Sequence, residues 1–199
     1  MCVGALNMGE YAYDFVTDNA HDGPTRNPRD LARSAGGSAG GCGAAVAAGL
    51  VPFSICTDTN GSIRVPSSFC GIWGLKPTYG RLSRAGSFPF VDSHDHIGPF
   101  ARTVGDLAAA YDALQGPDAC AQRAIEPAAP ELETGLGDLR VARLGGYFEK
   151  NCPPQAPSAV AAVANALGAA YVGRRLDLPH AALARAAAFL ITATEGGTR

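Results

Sequence analysis

The chain contains few charged residues, 17% of its 199, and its formal net charge is only −2. Proteins that bind nucleic acid or anionic membranes through charge need a strongly basic surface. Long apolar runs are lacking too, because Gly, Thr, Asp or Arg interrupts each one well short of the roughly 18 residues of a membrane-spanning helix. The sequence therefore predicts no nucleic-acid partner and no membrane partner.

Cysteines at the spacing of a metal-binding or redox motif are absent as well. None of the six forms a C-x-x-C pair, and they follow no regular ladder: Cys2, Cys42, Cys56, Cys70, Cys120 and Cys152. Disulfide frameworks are typical of small secreted domains, whereas this chain is long enough to bury a core. We therefore predict reduced thiols, a cytoplasmic location, and cysteines that act mostly as small buried hydrophobic residues.

Two serines in glycine-rich turns stand out in what the sequence does contain. Ser38 lies in GGSAGG and Ser62 in TNGSIR, 24 positions apart, with an apolar stretch between them. A serine hydroxyl becomes a nucleophile when a base takes its proton and hydrogen-bond donors await the oxyanion. Glycines let backbone N–H groups approach a substrate carbonyl that side chains would otherwise block. This pattern predicts acyl-transfer chemistry, with an amide as the substrate.

The alternation of apolar and turn-forming segments predicts an α/β fold, in which helices cover a mixed β-sheet. Strands are expected over 2–6, 51–57, 72–77, 139–144 and 175–178. Helices are expected over 7–16, 42–49, 104–115, 157–170 and 180–193, and Thr103 is expected to cap the third of them. Loops are expected over 17–37 and 80–100, and an exposed connection over 117–137.

The segment SHDHIGP holds His94, Asp95 and His96, and a His-x-His pair can bind zinc when a third ligand lies nearby. A histidine could also serve as the base for Ser62, although no strained nucleophile elbow accompanies it. We expect a structural role for this segment and no metal site, with the two other roles as alternatives.

Several long segments together resemble the amidase-signature family. They are GGSAGG, TDTNGSIRVPSSFCGIWGLKPTYGRLSRAG and FPFVDSHDHIGPFARTVGDLAAAYDALQG, preceded by VGALNMGEYAYDF and GPTRNPRD. The resemblance covers residues 1–116 well and the remainder loosely. It implies a partial amidase-signature domain over 1–199, incomplete at both ends. Its signature core is 1–116, 117–137 is the exposed connection, and 138–199 is the start of the domain's C-terminal portion.

The resemblance also implies a Ser-Ser-Lys mechanism. Ser62 aligns with the nucleophile, and Ser38 aligns with the serine that relays the proton and follows a cis peptide bond, here after Gly37. The oxyanion hole is implied to consist of backbone N–H groups of Thr59, Asn60, Gly61 and Ser62.

Four charged residues complete the implied site. Asp58 and Arg64 flank the nucleophile and look like the pair that orders its turn in the family. Arg81 and Arg84 are candidates for binding a carboxylate on the substrate, because the guanidinium fork matches a carboxylate, and pinning of loops is the alternative. No metal and no cofactor are implied.

Lysine is the residue type whose scarcity matters most in light of this resemblance. The family's catalytic lysine lies well upstream of its first serine, farther than the 37 residues before Ser38 reach, and the only two lysines here are Lys76 and Lys150. Ala39 and Cys42 also replace serines that are usual in the family. We therefore expect the chain to be an internal piece of a longer amidase, with Met1 not its natural start.

Three functions remain open at this point. The motifs favour a branch of the family that hydrolyses small carboxylated, urea-like amides and releases ammonia; homo-oligomer contacts and a small accessory subunit are implied for it. The glutamine-amidase subunit of tRNA-dependent amidotransferases shares the same signature. A non-catalytic remnant or interaction module, which keeps the signature without the lysine, is the alternative from another class.

Overall fold

A computed structural model of the chain describes residues 2–118, 125–135, 137, 140–150, 152–168 and 174–197. The chain divides into two compact units, the first extending to Glu133 and the second comprising Thr134–Gly197. The first unit contains, in chain order, β1 (Asp18–Asn19), β2 (Gly23–Pro24), β3 (Arg26–Asn27), β4 (Asp30–Ser34), α1 (Gly40–Ala47), β5 (Phe53–Asp58), α2 (Arg64–Cys70), β6 (Trp73–Gly74), β7 (His96–Ala101) and α3 (Val104–Leu114).

The first unit is organised around a three-stranded antiparallel sheet with β7 in the centre, between β5 and β6. Along β5, side chains alternate between the two faces, so that Ser54 and Asp58 are buried while Phe53 and Ile55 are exposed. Helices α1 and α3 pack against this sheet. The central cluster of buried residues joins α1, the sheet and the start of α2: Ala39, Cys42, Val46, Ile63 and Phe100.

Helix α1 is confirmed where the run of small residues predicts it, and its packing explains the composition. A Cβ added at Gly41 would lie 2.7 Å from the backbone nitrogen of Asn7, and one at Gly43 would lie 3.0 Å from Pro66 Cβ. The chain therefore approaches α1 closely on two sides, which only small residues permit. Strand β5 and helix α3 are also confirmed, and Thr103 accepts a hydrogen bond from the Asp106 N–H as the predicted cap.

The predicted strand over 2–6 and helix over 7–16 are wrong. Residues 2–9 have no regular secondary structure, and only a 3₁₀ turn forms at Glu10–Ala12, where Tyr11 and Ala12 have positive φ. The backbone groups here bond to a distant segment instead: Gly9 N–H donates to Ser38 O at 2.9 Å, and Asn7 O accepts from Gly41 N–H at 3.0 Å. Tertiary hydrogen bonds therefore replace the helical ones.

Both predicted loops contain strands. Residues 17–37 form two small antiparallel hairpins, β1–β2 and β3–β4. The interval 80–100 ends in β7, which pairs with β5 from Asp58↔His96 to Phe53↔Ala101. Pro99 made this strand hard to predict, because proline donates no ladder hydrogen bond and is rare within central strands. Its carbonyl still accepts from Leu75 N–H at 3.0 Å.

The second unit contains β8 (Arg143–Leu144), α4 (Gln155–Leu167), β9 (Arg175–Leu176) and α5 (Ala181–Gly196). Its two strands pair in parallel, and both predicted helices are confirmed with slightly shifted ends. Parts of the predicted connection 117–137, strand 139–144 and helix 157–170 lie outside the described residues. The predicted boundaries at 116 and 137 stay predictions.

The predicted α/β class, with a mixed set of strands and covering helices, is confirmed. Across the described ranges, none of the helices combines the length and apolarity that crossing a membrane would require.

Candidate active site

The first half of the site is the loop that precedes α1. Its Gly37–Ser38 peptide bond is cis, as the family resemblance implies. Ser38 is only 1% exposed, and its Oγ atom has no hydrogen-bond partner within the described part of the chain. Buried hydroxyl groups are nearly always hydrogen-bonded, because burial without a partner costs about 1–3 kcal/mol. The Ser38 hydroxyl is therefore a candidate for a direct role in the chemistry of the site.

Thr17 holds this loop from the opposite side, although nothing in the sequence singles it out. Its fully buried hydroxyl lies 2.9 Å from Gly36 O and 3.0 Å from Ser38 O, to which it can donate, and it accepts from Gly40 N–H at 2.9 Å. The Thr17 N–H in turn donates to Asp14 Oδ1 at 2.9 Å. One side chain thus fixes the backbone before, at and after Ser38.

The second half of the site is the turn Thr59–Ser62, which joins the end of β5 to α2. Ser62 is 4% exposed, and Gly61 has φ +151°, a value that favours glycine. A Cβ at Gly61 would lie 3.2 Å from Val65 Cγ2, so the turn is also tightly packed. The turn carries all four residues that are implied to form the oxyanion hole.

Asp58 orders this turn. Its buried carboxylate accepts from Ile63 N–H at 3.1 Å and from Arg64 N–H at 3.3 Å. The Arg64 guanidinium adds two hydrogen bonds, Nε to Oδ2 at 3.1 Å and Nη2 to Oδ1 at 2.9 Å. Burial by itself would raise the pKa of Asp58, but the hydrogen bonds and charge of Arg64 outweigh it and hold the pKa below the usual value. An ionised carboxylate therefore anchors the first turn of α2.

Asp95 holds the other side of the same turn, a role that the sequence did not reveal. Its Oδ1 accepts from Thr59 Oγ1 at 2.5 Å, while its Oδ2 accepts from Phe90 N–H at 2.7 Å and Val91 N–H at 2.9 Å. The expected structural role of the segment around residues 94–96 is consistent with these contacts. The described ranges contain no group of three or more His, Cys, Asp or Glu side chains suited to a metal ion.

The two arginines proposed from the sequence bind carboxylates of the chain itself. Arg81 pairs with Glu126, and its side chain is 13% exposed. Arg84 Nη1 lies 3.0 Å from Asp92 Oδ1 and its Nη2 donates to Tyr79 Oη at 2.8 Å. These contacts match the loop-pinning alternative, so a role for either arginine in substrate binding stays a prediction.

A test of the Thr17 clamp compares Thr17→Val with Thr17→Ser. Valine has nearly the same shape but no hydroxyl, so Gly40 N–H loses its acceptor inside the protein, at a cost of about 1–3 kcal/mol. We expect Thr17→Val to lower the urea midpoint and to speed hydrogen exchange at Gly40, and Thr17→Ser to retain most of both. Equal losses in the two variants would show that the hydroxyl contributes no more than the methyl group, which would contradict the clamp.

A buried serine in a glycine loop, a second serine in a turn ordered by an Asp–Arg pair, and an α/β framework match the arrangement that the resemblance to the amidase-signature family implies. The family comparison agrees: the family model described as Amidase matches residues 1–198. The chain therefore belongs to the amidase family, as the resemblance predicted.

Individual relatives support the same assignment. The chain is 57% identical over 199 residues to the AtzE subunit of 1-carboxybiuret hydrolase from Pseudomonas sp. (strain ADP), covering 98% of this chain and 43% of that protein. It is 41% identical over 203 residues to a Glutamyl-tRNA(Gln) amidotransferase subunit from Chromohalobacter salexigens, covering 98% of this chain and 41% of that one. The chain thus spans less than half the length of these curated relatives.

Solved structures show the same fold. One, from work on a vestigial protein complex and the evolutionary origins of an s-triazine catabolic enzyme, superposes with a TM-score of 0.93 at 56% identity, over 98% of this chain and 43% of that one. A Glutamyl-tRNA(Gln) amidotransferase subunit from Thermotoga maritima gives a TM-score of 0.91 at 33% identity, over 100% of this chain and 45% of that one.

Proposed function

We propose that this chain carries the nucleophile and proton relay of an amide hydrolase. Ser62 Oγ attacks the amide carbonyl carbon and passes its proton to Ser38 Oγ, whose own proton goes to a base. The oxyanion is stabilised by backbone N–H groups of the turn Thr59–Ser62, the amine leaves with a proton, and water then releases the acid. The orphaned, buried hydroxyl of Ser38 is the observation that carries this proposal.

The base is proposed to come from outside these 199 residues. Family resemblance assigns it to a lysine, and Ser38 Oγ lacks a partner throughout the described ranges. Lys76 makes another contact: its Nζ donates to Pro77 O at 3.2 Å. Burial together with the charge of Arg64 lowers the pKa of Lys76. A lysine amine beside Ser38 would both satisfy the orphaned hydroxyl and accept its proton.

A small carboxylated, urea-like amide of the 1-carboxybiuret type is the proposed substrate. Identity of 57% to the 1-carboxybiuret hydrolase relative, compared with 41% to the amidotransferase relative, favours this choice. The glutamine-amidase function remains the second candidate, supported by several relatives near 42% identity. Both relatives are named as subunits, so we propose homo-oligomer contacts or an accessory subunit for the whole enzyme. No cofactor is proposed.

Labelling with a fluorophosphonate, read by intact mass, tests the serine assignments. We expect one adduct on the unchanged chain, faster labelling when methylamine is added as a small base, no adduct for Ser62→Ala, and a slower, amine-insensitive reaction for Ser38→Ala. Ser68→Ala is the matched control, because Ser68 is an exposed serine of the same segment, and it should label like the unchanged chain.

Two results would contradict the proposal. An adduct that persists in Ser62→Ala would remove Ser62 as the nucleophile. Failure of the unchanged chain to label, with or without methylamine, would contradict the proposal that the chain carries a working nucleophile and proton relay. Ammonia release from a carboxylated biuret, compared with release from glutamine, then separates the two candidate substrates.

A further inference from the structure

Cys42 and Cys56 form a pair of thiols between the two halves of the site. Cys42 lies in the first turn of α1, four residues after Ser38, and Cys56 lies in β5, six residues before Ser62. Alternation along β5 places Cys56 on the same face as buried Ser54 and Asp58. Cys42 and Cys56 therefore approach each other across the contact between α1 and the sheet.

Two contacts hold Cys42 close to β5. Ser54 Oγ donates to Cys42 O at 3.1 Å, and Cys42 Sγ lies 3.7 Å from Ile55 O, the carbonyl that directly precedes Cys56. The two thiols lie close enough that each shifts the pKa of the other. Both belong to the central hydrophobic cluster, Cys42 as a buried member and Cys56 as a partly buried neighbour. The two sulfur atoms are thus held together by a rigid helix and a rigid strand.

The two thiols differ in pKa and in exposure to solvent. The side chain of Cys42 lowers the pKa of Cys56, and that of Cys56, together with burial, raises the pKa of Cys42. A lower pKa increases the thiolate fraction of Cys56, and thiolate is the reactive form of a thiol. Cys56 is also the more exposed of the two, so an oxidant meets it first.

We propose that Cys42 and Cys56 are a peroxide-reactive dithiol that closes to a disulfide. The Cys56 thiolate attacks one oxygen of hydrogen peroxide and breaks the O–O bond, which gives a sulfenic acid on Cys56 and hydroxide. The hydroxide becomes the first water by taking up the proton that Cys56 had released. The Cys42 sulfur then attacks the Cys56 sulfur, and the departing hydroxide takes the Cys42 proton. In total, two thiols and one hydrogen peroxide give one disulfide and two waters.

Closure has a mechanical consequence for the site. To form the disulfide, the two sulfur atoms must approach to about 2.05 Å, and we expect α1 and β5 to share this shift. Because α1 follows the Ser38 loop and β5 precedes the Ser62 turn, the crosslink pulls on both serines. We therefore expect Ser62 to be labelled more slowly in the oxidised chain. This expectation rests on the proposed function, whereas formation of the disulfide does not.

Peptide mapping of the oxidised chain tests the crosslink directly. Trypsin releases residues 34–64 as one peptide, and Cys42 and Cys56 are its only cysteines. After treatment with stoichiometric hydrogen peroxide, we expect this peptide to lose about 2 Da, the mass of two hydrogens, and to regain it with dithiothreitol. A chymotryptic cut after Phe53 should then leave two fragments joined until the bond is reduced.

Two variants serve as controls. Cys70→Ser is the matched control, because Cys70 is also buried but its Sγ donates to Ala35 O at 3.4 Å and burial raises its pKa. The loss of about 2 Da should persist there, whereas Cys42→Ser should stop at a sulfenic acid that dimedone traps on Cys56. The proposal is overturned if peptide 34–64 keeps its mass under excess peroxide, gains oxygen instead, or becomes linked to Cys70.

Discussion

Replacing Asp58 with asparagine should lower the free energy of unfolding by about 2–3 kcal/mol, because buried donors and a charged partner lose an acceptor while the Arg64 side chain itself is half exposed. The carboxylate is fully buried and accepts four hydrogen bonds, two from backbone N–H groups and two from Arg64. An asparagine amide turns donor hydrogens toward some of these donors and has no charge to balance the guanidinium. Urea denaturation at neutral pH measures the loss.

The pH dependence of this loss has a definite sign. The folded-state pKa of Asp58 lies below the unfolded value of about 3.9, so the carboxylate contributes stability above that pH and loses it as pH falls through the folded pKa. The difference in stability between the unchanged chain and Asp58→Asn should therefore be full at pH 7 and shrink below about pH 4.

Asp30→Asn is the control for this experiment. Asp30 pairs with Arg33 at 3.0 Å, but both side chains are exposed, and such pairs contribute little to stability. Its urea midpoint should match that of the unchanged chain. If Asp58→Asn unfolded at the same urea concentration as Asp30→Asn, the carboxylate would not be the anchor of the nucleophile turn.

The sequence predicted the helices and strands that are determined by residues close together in the chain. Small residues over 42–49 predicted α1, the apolar run over 51–57 predicted β5, and a threonine before an amphipathic stretch predicted α3 with its cap. Each of these depends on periodicity or on a capping residue within a few positions. The glycine-rich turns singled out the two serines, and the resemblance supplied their separate roles and the cis peptide bond at Gly37–Ser38.

The errors arose where distant backbone groups decide the structure. Residues 7–16 have the pattern of an amphipathic helix, yet Gly9 bonds to Ser38, 29 positions away, and Asn7 bonds to Gly41. Such contacts leave no periodic signal in the segment itself, and they override helix propensity. For the same reason Thr17 went unnoticed, and the contact of Asp95 with the nucleophile turn was not predicted, because Thr17 bonds to a residue 21 positions away and Asp95 to one 36 positions away.

Replacing Gly37 with alanine should have the largest effect on the first half of the site. The added Cβ would lie 2.5 Å from Asp14 Oδ1 and 2.6 Å from the backbone carbon of Phe15, and it would also meet the backbone nitrogen of Val16. Backbone atoms cannot rotate away as a side chain can. We expect destabilisation of about 3 kcal/mol, the upper part of the usual range for overpacking, and loss of fluorophosphonate labelling at Ser62.

The loop around Gly37 has little freedom to relieve this clash. Thr17 holds Gly36, Ser38 and Gly40, while Gly9 holds Ser38 from the N-terminal segment. Gly4→Ala is the matched control, because no atom lies within 4 Å of a Cβ at Gly4, and it should leave both stability and labelling unchanged. Urea midpoints and labelling rates of the two variants test whether the added methyl group disturbs the Ser38 loop. Equal stability and labelling of Gly37→Ala and Gly4→Ala would show that residues 14–16 can move to accommodate the added methyl group. The packing of this segment would then not be what holds the Ser38 loop in position.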